Sequence, residues 1–336
     1  MAIGAKCAST SGMRAAICTR YGPPSVVEIR EVPNPTPKAD EVLIRIHATC
    51  VNSGDARIRA LNVPTGMGPM VRIGFGFTKP RQPILGTDLA GVIEMVGRDV
   101  TGFQPGDEVF GSLGLSTGTH AEYVTLPANG AVVPKPAGLT MEESAALIFG
   151  GTTALHFLEG DTPLGAGSRI LINGASGTVG CASVQLAKAL GAHVTAVCSG
   201  RNIDLMTSLG ADRIIDYNAE DFTSGADRYD IIMDCVGNAP WKRARPRLTE
   251  RGRLLAISSG LSEMVMAPFV SQKNGQRLVV GVASGNASDL RRLVAMAESG
   301  QMKPVIDRTL PFESITEAYD HVDSGRKRGS VVLTLT

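Results

Sequence analysis

A short apolar run that breaks into glycines, residues 169–180, is the feature that most constrains the fold of this chain. The run reads Arg-Ile-Leu-Ile-Asn-Gly-Ala-Ser-Gly-Thr-Val-Gly, and a helical pattern continues from Cys181 to Leu190. This order predicts a strand, a tight turn and a helix. Gly174 permits the turn, Gly177 lets the backbone approach a pyrophosphate, and Gly180 allows close helix packing. On the glycines alone, a surface turn of small residues is the alternative.

The start of such a helix is a binding site for an anion, because its amides are free and the helix dipole is positive there. The residues predicted to hold the cofactor pyrophosphate in this way are Gly174, Ala175, Ser176, Gly177, Thr178, Val179 and Gly180.

The end of the next strand indicates which dinucleotide is bound. Val194–Cys198 begins about 20 residues after the first glycine, and Ser199, Gly200, Arg201 and Asn202 follow it. An NAD site usually carries Asp or Glu here for the ribose hydroxyl, whereas a hydroxyl and a guanidinium suit a 2'-phosphate. We therefore expect NADPH, with Ser199, Arg201 and Asn202 as ligands. A solvated arginine in a first helical turn is the alternative.

The length of 336 residues favours two domains. Residues 1–12 look like a flexible lead-in, and short alternating runs up to about Pro136 predict β-strands. Strand and helix then alternate, which is typical of a parallel doubly wound sheet. We predict a β-rich catalytic domain from residues 13–137 and 285–336, and a nucleotide-binding domain from 138–284. The six strands predicted for its sheet are 169–173, 194–198, 213–216, 229–234, 252–257 and 277–282.

Two further segments are interpreted from their glycines. Leu61–Pro83 holds four of each of these residues, with Phe75 and Phe77, and is too long for a simple connector. We interpret it as a mobile apolar loop over a pocket, with a poorly ordered surface loop as the alternative. Met141–Glu159 is predicted to be a helix that breaks at Gly150 and Gly151.

The composition limits which binding partners and which cellular compartment are expected. A formal charge of +1 gives no reason to expect nucleic acid or an anionic membrane as the main partner. No apolar run is long enough to span a membrane. The six cysteines are scattered without a CxxC pair, and the N-terminus lacks a secretory signal pattern, so a reducing cytoplasm is expected.

The order of these parts and a set of short motifs resemble the medium-chain dehydrogenase/reductase superfamily, in its zinc-independent quinone oxidoreductase (zeta-crystallin-like) branch. The resemblance covers residues 13–336 and implies a GroES-like β domain joined to a Rossmann domain. The motifs that carry it are Val51-Asn52-Ser53-Gly54-Asp55, Gly86-Thr87-Asp88-Leu89-Ala90-Gly91-Val92, Phe103-Gln104-Pro105-Gly106-Asp107-Glu108-Val109, Ala121-Glu122-Tyr123-Val124, Gly151-Thr152-Thr153-Ala154, the glycine triad and Leu209-Gly210-Ala211-Asp212.

The resemblance also predicts that the protein binds no zinc. The zinc-dependent alcohol dehydrogenases of the superfamily hold catalytic zinc with Cys, His and Cys, and the matching positions here carry Asn52, Thr87 and Phe149. The closely spaced cysteines of the structural zinc lobe are missing as well. No metal is expected, and without a Lewis acid simple alcohol oxidation is disfavoured.

Further site residues follow from the resemblance. It implies that Asn52 lies near the nicotinamide and hydrogen-bonds the acceptor oxygen, and that Thr153 holds the nicotinamide or its ribose. Asp55 matches a family position, as a reacting group or as a brace for its loop, while a loop-capping amide is the alternative for Asn52. For the cofactor the resemblance adds Tyr217, Val236 and Ser258.

Two basic features have more than one interpretation. His120 is a candidate proton donor at the pocket mouth, because an unperturbed imidazole titrates near neutral pH. The run Arg326-Lys327-Arg328 either reaches the cofactor phosphates or forms a solvated charged turn, and the turn is favoured.

These features lead to a hypothesis of an NADPH-dependent, zinc-independent reductase of quinones or other α,β-unsaturated carbonyls. The alternatives are an alcohol or aldehyde dehydrogenase, and an NADPH-binding protein with a structural or regulatory role. The family resemblance implies a homodimer, which we expect to pair through the edge strand at residues 277–282.

Overall fold

The computed structural model describes residues 12–62, 68–160, 164–258, 261–270 and 275–335. Residues 1–11 of the predicted lead-in lie outside this part of the chain, as do residues 63–67 of the predicted loop.

The N-terminal third of the chain is built mainly from β-strands, as the short alternating runs predict. Its elements are β1 (Met13–Cys18), β2 (Val27–Val32), β3 (Glu41–Cys50), α1 (Ser53–Ala60), α2 (Gly68–Phe75), β4 (Asp88–Val96), β5 (Glu108–Ser112), β6 (Tyr123–Pro127) and β7 (Val132–Pro134).

Strands and helices then alternate along the chain. The elements are α3 (Met141–Leu158), β8 (Arg169–Asn173), α4 (Thr178–Ala189), β9 (His193–Cys198), α5 (Ile203–Ser208), β10 (Arg213–Asp216), β11 (Tyr229–Asp234), α6 (Trp241–Ala244), β12 (Leu248–Ala256), α7 (Leu261–Val270) and β13 (Arg277–Val280). The C-terminal elements are α8 (Ala287–Glu298), β14 (Ile306–Pro311), α9 (Ile315–Asp323) and β15 (Ser330–Thr334).

The C-terminal strands complete the N-terminal β domain. Its main sheet has the order β14-β15-β3-β4-β5-β7, with β6 also paired to β3, and β1 and β2 form a separate antiparallel pair. Strand β15 pairs antiparallel with β3, and Val332 lies opposite Cys50. The chain therefore returns to its N-terminal sheet after passing through the second sheet.

The second domain contains a six-stranded sheet in the order β10-β9-β8-β11-β12-β13, with every pair parallel. This is the Rossmann order, in which the direction of winding reverses beside the first strand, here β8. The prediction of a β-rich domain joined to a doubly wound parallel sheet is confirmed. Ligands of such sheets bind beyond the carboxyl ends of the strands at the reversal point, which here lies between β8 and β11.

Helix α3 runs unbroken through Gly150 and Gly151, so the predicted break is wrong. Both glycines are places of close packing. A Cβ on Gly150 would lie 2.5 Å from the carbonyl oxygen of Thr178, and one on Gly151 would lie 2.5 Å from a methyl group of Leu293. The missing side chains let α4 and α8 pack directly against α3, whose side chains are almost all buried.

The segment 61–83, interpreted from the sequence as a mobile apolar loop over a pocket, contains helix α2. Tyr21 fixes the end of this segment by donating a hydrogen bond from its hydroxyl to the carbonyl of Gly76 at 2.7 Å. None of the described helices is both long enough and apolar enough to cross a bilayer.

Candidate active site

A cavity of about 620 Å³ lies where the carboxyl ends of the parallel strands face helix α1. The second domain contributes the glycine turn, the ends of β9 and β11, and Tyr217 after β10. The β domain contributes one face of α1, namely Ser53, Ala56, Arg57 and Ala60. These four residues follow the spacing of a single helical face, so α1 lies along the cleft and forms its second wall.

A larger cavity of about 810 Å³ lies elsewhere, beside Trp241, Arg245 and Met266. It also includes Leu248, the first residue of β12, and is therefore at the amino ends of the strands. The topology assigns nucleotide binding to the opposite edge, so we place the active site in the smaller cleft.

The glycine turn has the geometry that its sequence predicts. Gly174 has a φ of +77°, a value that favours glycine. A Cβ on Gly180 would lie 2.3 Å from the carbonyl oxygen of Gly174, so helix α4 can pack here only without a side chain. A Cβ on Gly177 would meet only that same oxygen, at 3.5 Å, and would otherwise point into open space. Ala175 is fully buried, whereas the other residues of the turn from 174 to 180 line the cleft.

The loop after β9 is tied to the glycine turn. Asn202 donates from Nδ2 to the hydroxyl of Ser176 at 2.8 Å, while its buried Oδ1 has no partner in the described part of the chain. Arg201 lines the cleft and donates to the carbonyl of Arg326 at 2.8 Å. Tyr217 is 56% exposed and forms the adjoining wall. Ser199 lies at the start of this loop, outside the cleft lining, and accepts a long hydrogen bond of 3.5 Å from Asn218.

Asp234, which the sequence analysis did not single out, organises the end of β11. Its carboxylate accepts hydrogen bonds from the amides of Val236 at 3.1 Å, Gly237 at 2.9 Å and Ala239 at 2.8 Å. It also accepts from Asn173 at 2.8 Å, which links the ends of β8 and β11 at the reversal point. This network holds Val236 half exposed on the cleft wall.

The sequence also left the role of Lys327 open. Its ammonium group donates to the Thr178 hydroxyl, and to the carbonyl of Gly329 at 2.9 Å. Burial lowers the pKa of Lys327 from 10.5 to about 8. Lys327 and Arg326 both line the cleft, but Arg326 is exposed, so the preferred interpretation of residues 326–328 as a solvated turn is wrong only for Lys327.

A buried carboxylate pair underlies helix α1. Asp55 accepts from the backbone amides of Asn52 at 2.8 Å and Gly86 at 3.1 Å. Asp88 accepts from Nδ2 of Asn52 at 2.8 Å and from the Ser112 hydroxyl at 3.1 Å. Burial raises the pKa of Asp55 and of Asp88 to about 7 for each, and for Asp88 the neighbouring Asp55 charge adds to the shift.

Asn52 and Thr153 lie behind the cleft surface. Asn52 is 2% exposed and is the residue directly before α1, and its Nδ2 donates to the carboxylate of Asp88. Thr153 is also buried, and its hydroxyl donates to the carbonyl of Phe149 at 2.7 Å within α3. Phe149 itself lines the cleft.

His120 is fully buried, so its predicted place at the pocket mouth is wrong. Its Nε2 donates to the carbonyl of Cys50 at 3.0 Å, and its Nδ1 accepts from the Tyr319 hydroxyl at 3.3 Å. Burial lowers the pKa of His120 to about 4, which leaves the ring neutral at pH 7. It therefore has neither the access nor the protonation state of a general acid.

Arg57 and Ser258 meet across the cleft. The guanidinium of Arg57, on α1, donates to the Ser258 hydroxyl, which follows β12. This contact joins the two domains and brings the predicted residue Ser258 to the same end of the cleft as α1.

The cleft is electropositive. Four basic side chains line it, those of Arg57, Arg201, Arg326 and Lys327, against the single carboxylate of Asp323 among the described lining residues. Asp323 also pairs with Arg59. Free helix amides, an unpaired buried amide oxygen and excess positive charge fit a phosphate-bearing dinucleotide.

Two family models match the chain. Residues 38–137 match the alcohol dehydrogenase GroES-like domain, and residues 209–333 match the model described as zinc-binding dehydrogenase. Together they cover the β domain and much of the nucleotide-binding part.

Three relatives match over nearly the whole chain. The chloroplastic quinone-oxidoreductase QR1 of Triphysaria versicolor is 33% identical, over 90% of this chain and 92% of its own length. The mitochondrial NAD(P)H oxidoreductase RTN4IP1 of Mus musculus is 34% identical, with coverages of 88% and 82%. The 2-methylene-furan-3-one reductase of Solanum lycopersicum is 32% identical, with coverages of 96% and 79%.

Solved structures agree with these matches. The quinone oxidoreductase from Coxiella burnetii superposes with a TM-score of 0.84 at 25% identity, over 96% of this chain and 99% of its own.

Proposed function

This chain belongs to the medium-chain dehydrogenase/reductase superfamily, in its quinone oxidoreductase-like branch, and we propose that it is an NADPH-dependent, zinc-independent reductase of quinones or other α,β-unsaturated carbonyls. The relatives in this branch are oxidoreductases, and the matches support an oxidoreductase activity with a nicotinamide cofactor. The preference for NADPH, the independence from zinc and the acceptor class are our proposals.

The observation that carries the proposal is the cleft itself. A glycine turn and two cationic side chains, Arg201 and Lys327, lie at one end, and the small-residue face of α1 closes the other. The first end suits the phosphates of a dinucleotide, and the second leaves room for a flat acceptor beside the nicotinamide. The names of two relatives, a quinone oxidoreductase and a methylene-furanone reductase, support such acceptors.

The loop after β9 supports NADPH over NADH. Its described residues 199–202 carry no carboxylate, and Arg201 and Tyr217 line the cleft where the adenosine ribose of a dinucleotide would lie. Arg201 would pair with a 2'-phosphate and Tyr217 would stack on the adenine, while Ser199 and Asn202 complete the loop.

When bound, the reduced nicotinamide supplies a hydride to the acceptor, and one proton taken from solvent completes its reduction to a hydroquinone or a saturated carbonyl compound. The chain holds and orients the two reactants. Val236 and Ser258 support the nicotinamide side, and α1 covers the acceptor side. Since a conjugated acceptor already delocalises the incoming charge, positioning and a few hydrogen bonds supply the catalysis.

Asn52, Asp55 and Thr153 are positioning residues in this proposal. Asn52 and Asp55 form the capping box at the start of α1, and Asp88 holds the Asn52 amide. Thr153 bonds to the backbone of Phe149 and so supports the cleft wall. Through these contacts they fix the orientation of the residues that touch the reactants.

Independence from zinc rests on the chemistry of three side chains. Asn52, Thr87 and Phe149 occupy the places where zinc-dependent members carry thiolate and imidazole ligands, and an amide, a hydroxyl and a phenyl ring do not form a tetrahedral zinc site. In the described part of the chain, no three His, Cys, Asp or Glu residues are grouped to hold a metal.

We propose a homodimer that pairs through β13. This strand ends the six-stranded sheet, and Val282 beyond it is 70% exposed. Phe269 on the neighbouring helix α7 is 75% exposed. A second copy would pair with the edge and cover these side chains. Light scattering should show a dimer that Phe269→Asp weakens, and a monomeric wild type would refute the pairing.

We also propose that the catalytic domain comprises residues 13–137 and 285–336 and that the NADPH domain comprises residues 138–284.

The proposed compartment is the cytoplasm, because the described cysteines are free thiols, as expected in a reducing environment. They are Cys18, Cys50, Cys181, Cys198 and Cys235. Fluorescence of the tagged protein confined to an organelle would contradict this placement.

Two sets of variants test the roles assigned here. Replacing Ser199 with Asp and Arg201 with Ala should shift the ratio of kcat/KM for NADPH over NADH at least tenfold toward NADH. An unchanged ratio would refute the 2'-phosphate assignment.

Asn52→Ala should lower kcat more than it lowers NADPH affinity. An equal loss in both would show that Asn52 only supports the fold.

A further inference from the structure

Two arginines on helix α1 have different surroundings. Arg59 is fully buried and has a carboxylate partner: it donates to Asp323 and to the carbonyl of Gly22, while its Nε has no partner among the described residues. Arg57 is partly buried and lines the cleft, and its one described hydrogen bond is donated to the neutral Ser258 hydroxyl. In the described part of the chain, no carboxylate forms an ion pair with Arg57.

Among the described residues, the guanidinium of Arg57 is therefore a charge without a carboxylate partner. Burial lowers its pKa, but a guanidinium remains protonated in proteins. Partial desolvation of an unpaired cation is unfavourable, and binding of an anion would relieve it.

The cofactor phosphates would lie at a different place. In a sheet of this order the adenosine half of a dinucleotide lies over the strands on one side of β8, here β9 and β10, and the nicotinamide half over β11 and β12. The glycine turn, Arg201 and Lys327 serve the phosphate-bearing half. Arg57 instead contacts Ser258, beyond β12, and no carboxylate among the described residues pairs with it, so the acceptor is well placed to supply its counterion.

We propose that Arg57 determines acceptor specificity by binding a carboxylate, so that the preferred substrates are α,β-unsaturated carbonyl compounds that also carry a carboxylate group. This inference rests on the reductase function proposed above. A guanidinium matches a carboxylate with two parallel charged hydrogen bonds, whereas a neutral quinone oxygen offers a single weaker one. Ser53, Ala56 and Ala60 on the same face are small and leave space beside Arg57.

The test compares trans-4-oxo-2-pentenoic acid with its methyl ester, which lacks the negative charge, has one more methyl group and is the more electrophilic alkene. For the wild type, kcat/KM should be about tenfold to a hundredfold higher for the acid, as expected for charge-assisted hydrogen bonds. Arg57→Gln should lower the acid-over-ester ratio of kcat/KM about tenfold or more, chiefly by raising KM for the acid. Arg57→Lys should retain part of it, because it keeps the charge but not the fork. NADPH affinity and Tm of both variants show how much of any loss comes from the broken contact with Ser258.

A wild type that reduces acid and ester equally well would overturn the inference and leave the reductase function intact. The inference also fails if Arg57→Gln lowers both rates to the same extent, because Arg57 would then only clasp the domains. Binding of the saturated acid, 4-oxopentanoate, in the presence of NADP⁺ gives a second readout that needs no turnover. If neither acceptor is reduced, the reductase proposal fails, while loss of 4-oxopentanoate binding in Arg57→Gln still decides the role of Arg57.

Discussion

The ammonium group of Lys327 donates a hydrogen bond to the hydroxyl of Thr178, the first residue of helix α4. A cation at this end of a helix opposes the helix dipole, and partial burial adds a further cost that lowers the pKa of Lys327 to about 8. Both costs are offset when an anion binds between the ammonium group and the helix amides. The arrangement is therefore expected to contribute directly to phosphate binding.

Lys327→Met should weaken NADPH binding about tenfold, which corresponds to roughly 1.4 kcal/mol. The matched control is Arg328→Met, since Arg328 is the exposed next residue and lies outside the cleft lining. Titration of NADPH fluorescence gives both dissociation constants. Equal losses in the two variants would show that only the overall charge of this segment matters.

The affinity for NADPH should also depend on pH through Lys327. Its lowered pKa means that the free protein loses this charge as the pH rises through about 8. Affinity should therefore be highest below pH 8 and fall between pH 8 and 10 in the wild type. In Lys327→Met this alkaline decline should be much smaller. A wild-type affinity that stays constant up to pH 10 would contradict the assignment.

Two glycine variants separate phosphate access from helix packing. Gly177→Ala should fold normally, because φ is −78° and the added Cβ meets only one atom, at 3.5 Å. It should nevertheless weaken NADPH binding by filling the space that the pyrophosphate approaches. Gly180→Ala should lower Tm sharply, because its Cβ would lie 2.3 Å from the Gly174 carbonyl oxygen. Measured Tm and Kd values in the reverse pattern would contradict the assigned roles.

The Asp55–Asp88 pair should make stability depend on pH. Each pKa is raised from 3.8 to about 7, so the native state keeps protons that the unfolded chain releases between these values. The free energy of unfolding should therefore fall as the pH rises from about 4 to 7. Asp88→Asn cannot ionise at this position. The free energy of unfolding of this variant, relative to that of the wild type, should rise by on the order of 4 kcal/mol between pH 4 and pH 8.

Urea unfolding at several pH values measures this difference. Asp40→Asn, which changes an exposed carboxylate, is the matched control and should leave the pH dependence unchanged. A difference between Asp88→Asn and the wild type that is the same at pH 4 and pH 8 would show that Asp88 is ionised throughout.

The sequence predicted the nucleotide-binding sheet well because its signals are local. The apolar run before Gly174 and the glycines after it define a strand, a turn and a helix within about a dozen residues. Gly150 and Gly151 were misinterpreted for the opposite reason. Their role is set by Thr178 and Leu293, which are distant in sequence, and no local pattern distinguishes a packing glycine from a helix break.

The candidate site shows the same limit. Asn202 and Arg201 were predicted because they follow a predicted strand, and Tyr217 was predicted from the family resemblance. His120 was misplaced because its burial depends on Tyr319, 199 residues later in the chain. Lys327 was undervalued because a run of three basic residues looks solvated, and only the fold brings it to Thr178.

The proposed reductase function is decided by the rate of NADPH oxidation with a small quinone and a simple enone after treatment with a chelator, with NADH measured in parallel. We predict turnover that prefers NADPH, survives chelation and does not increase when zinc is added. No turnover of either acceptor despite demonstrable NADPH binding, or activity that disappears with the chelator and returns with zinc, would contradict the proposed function.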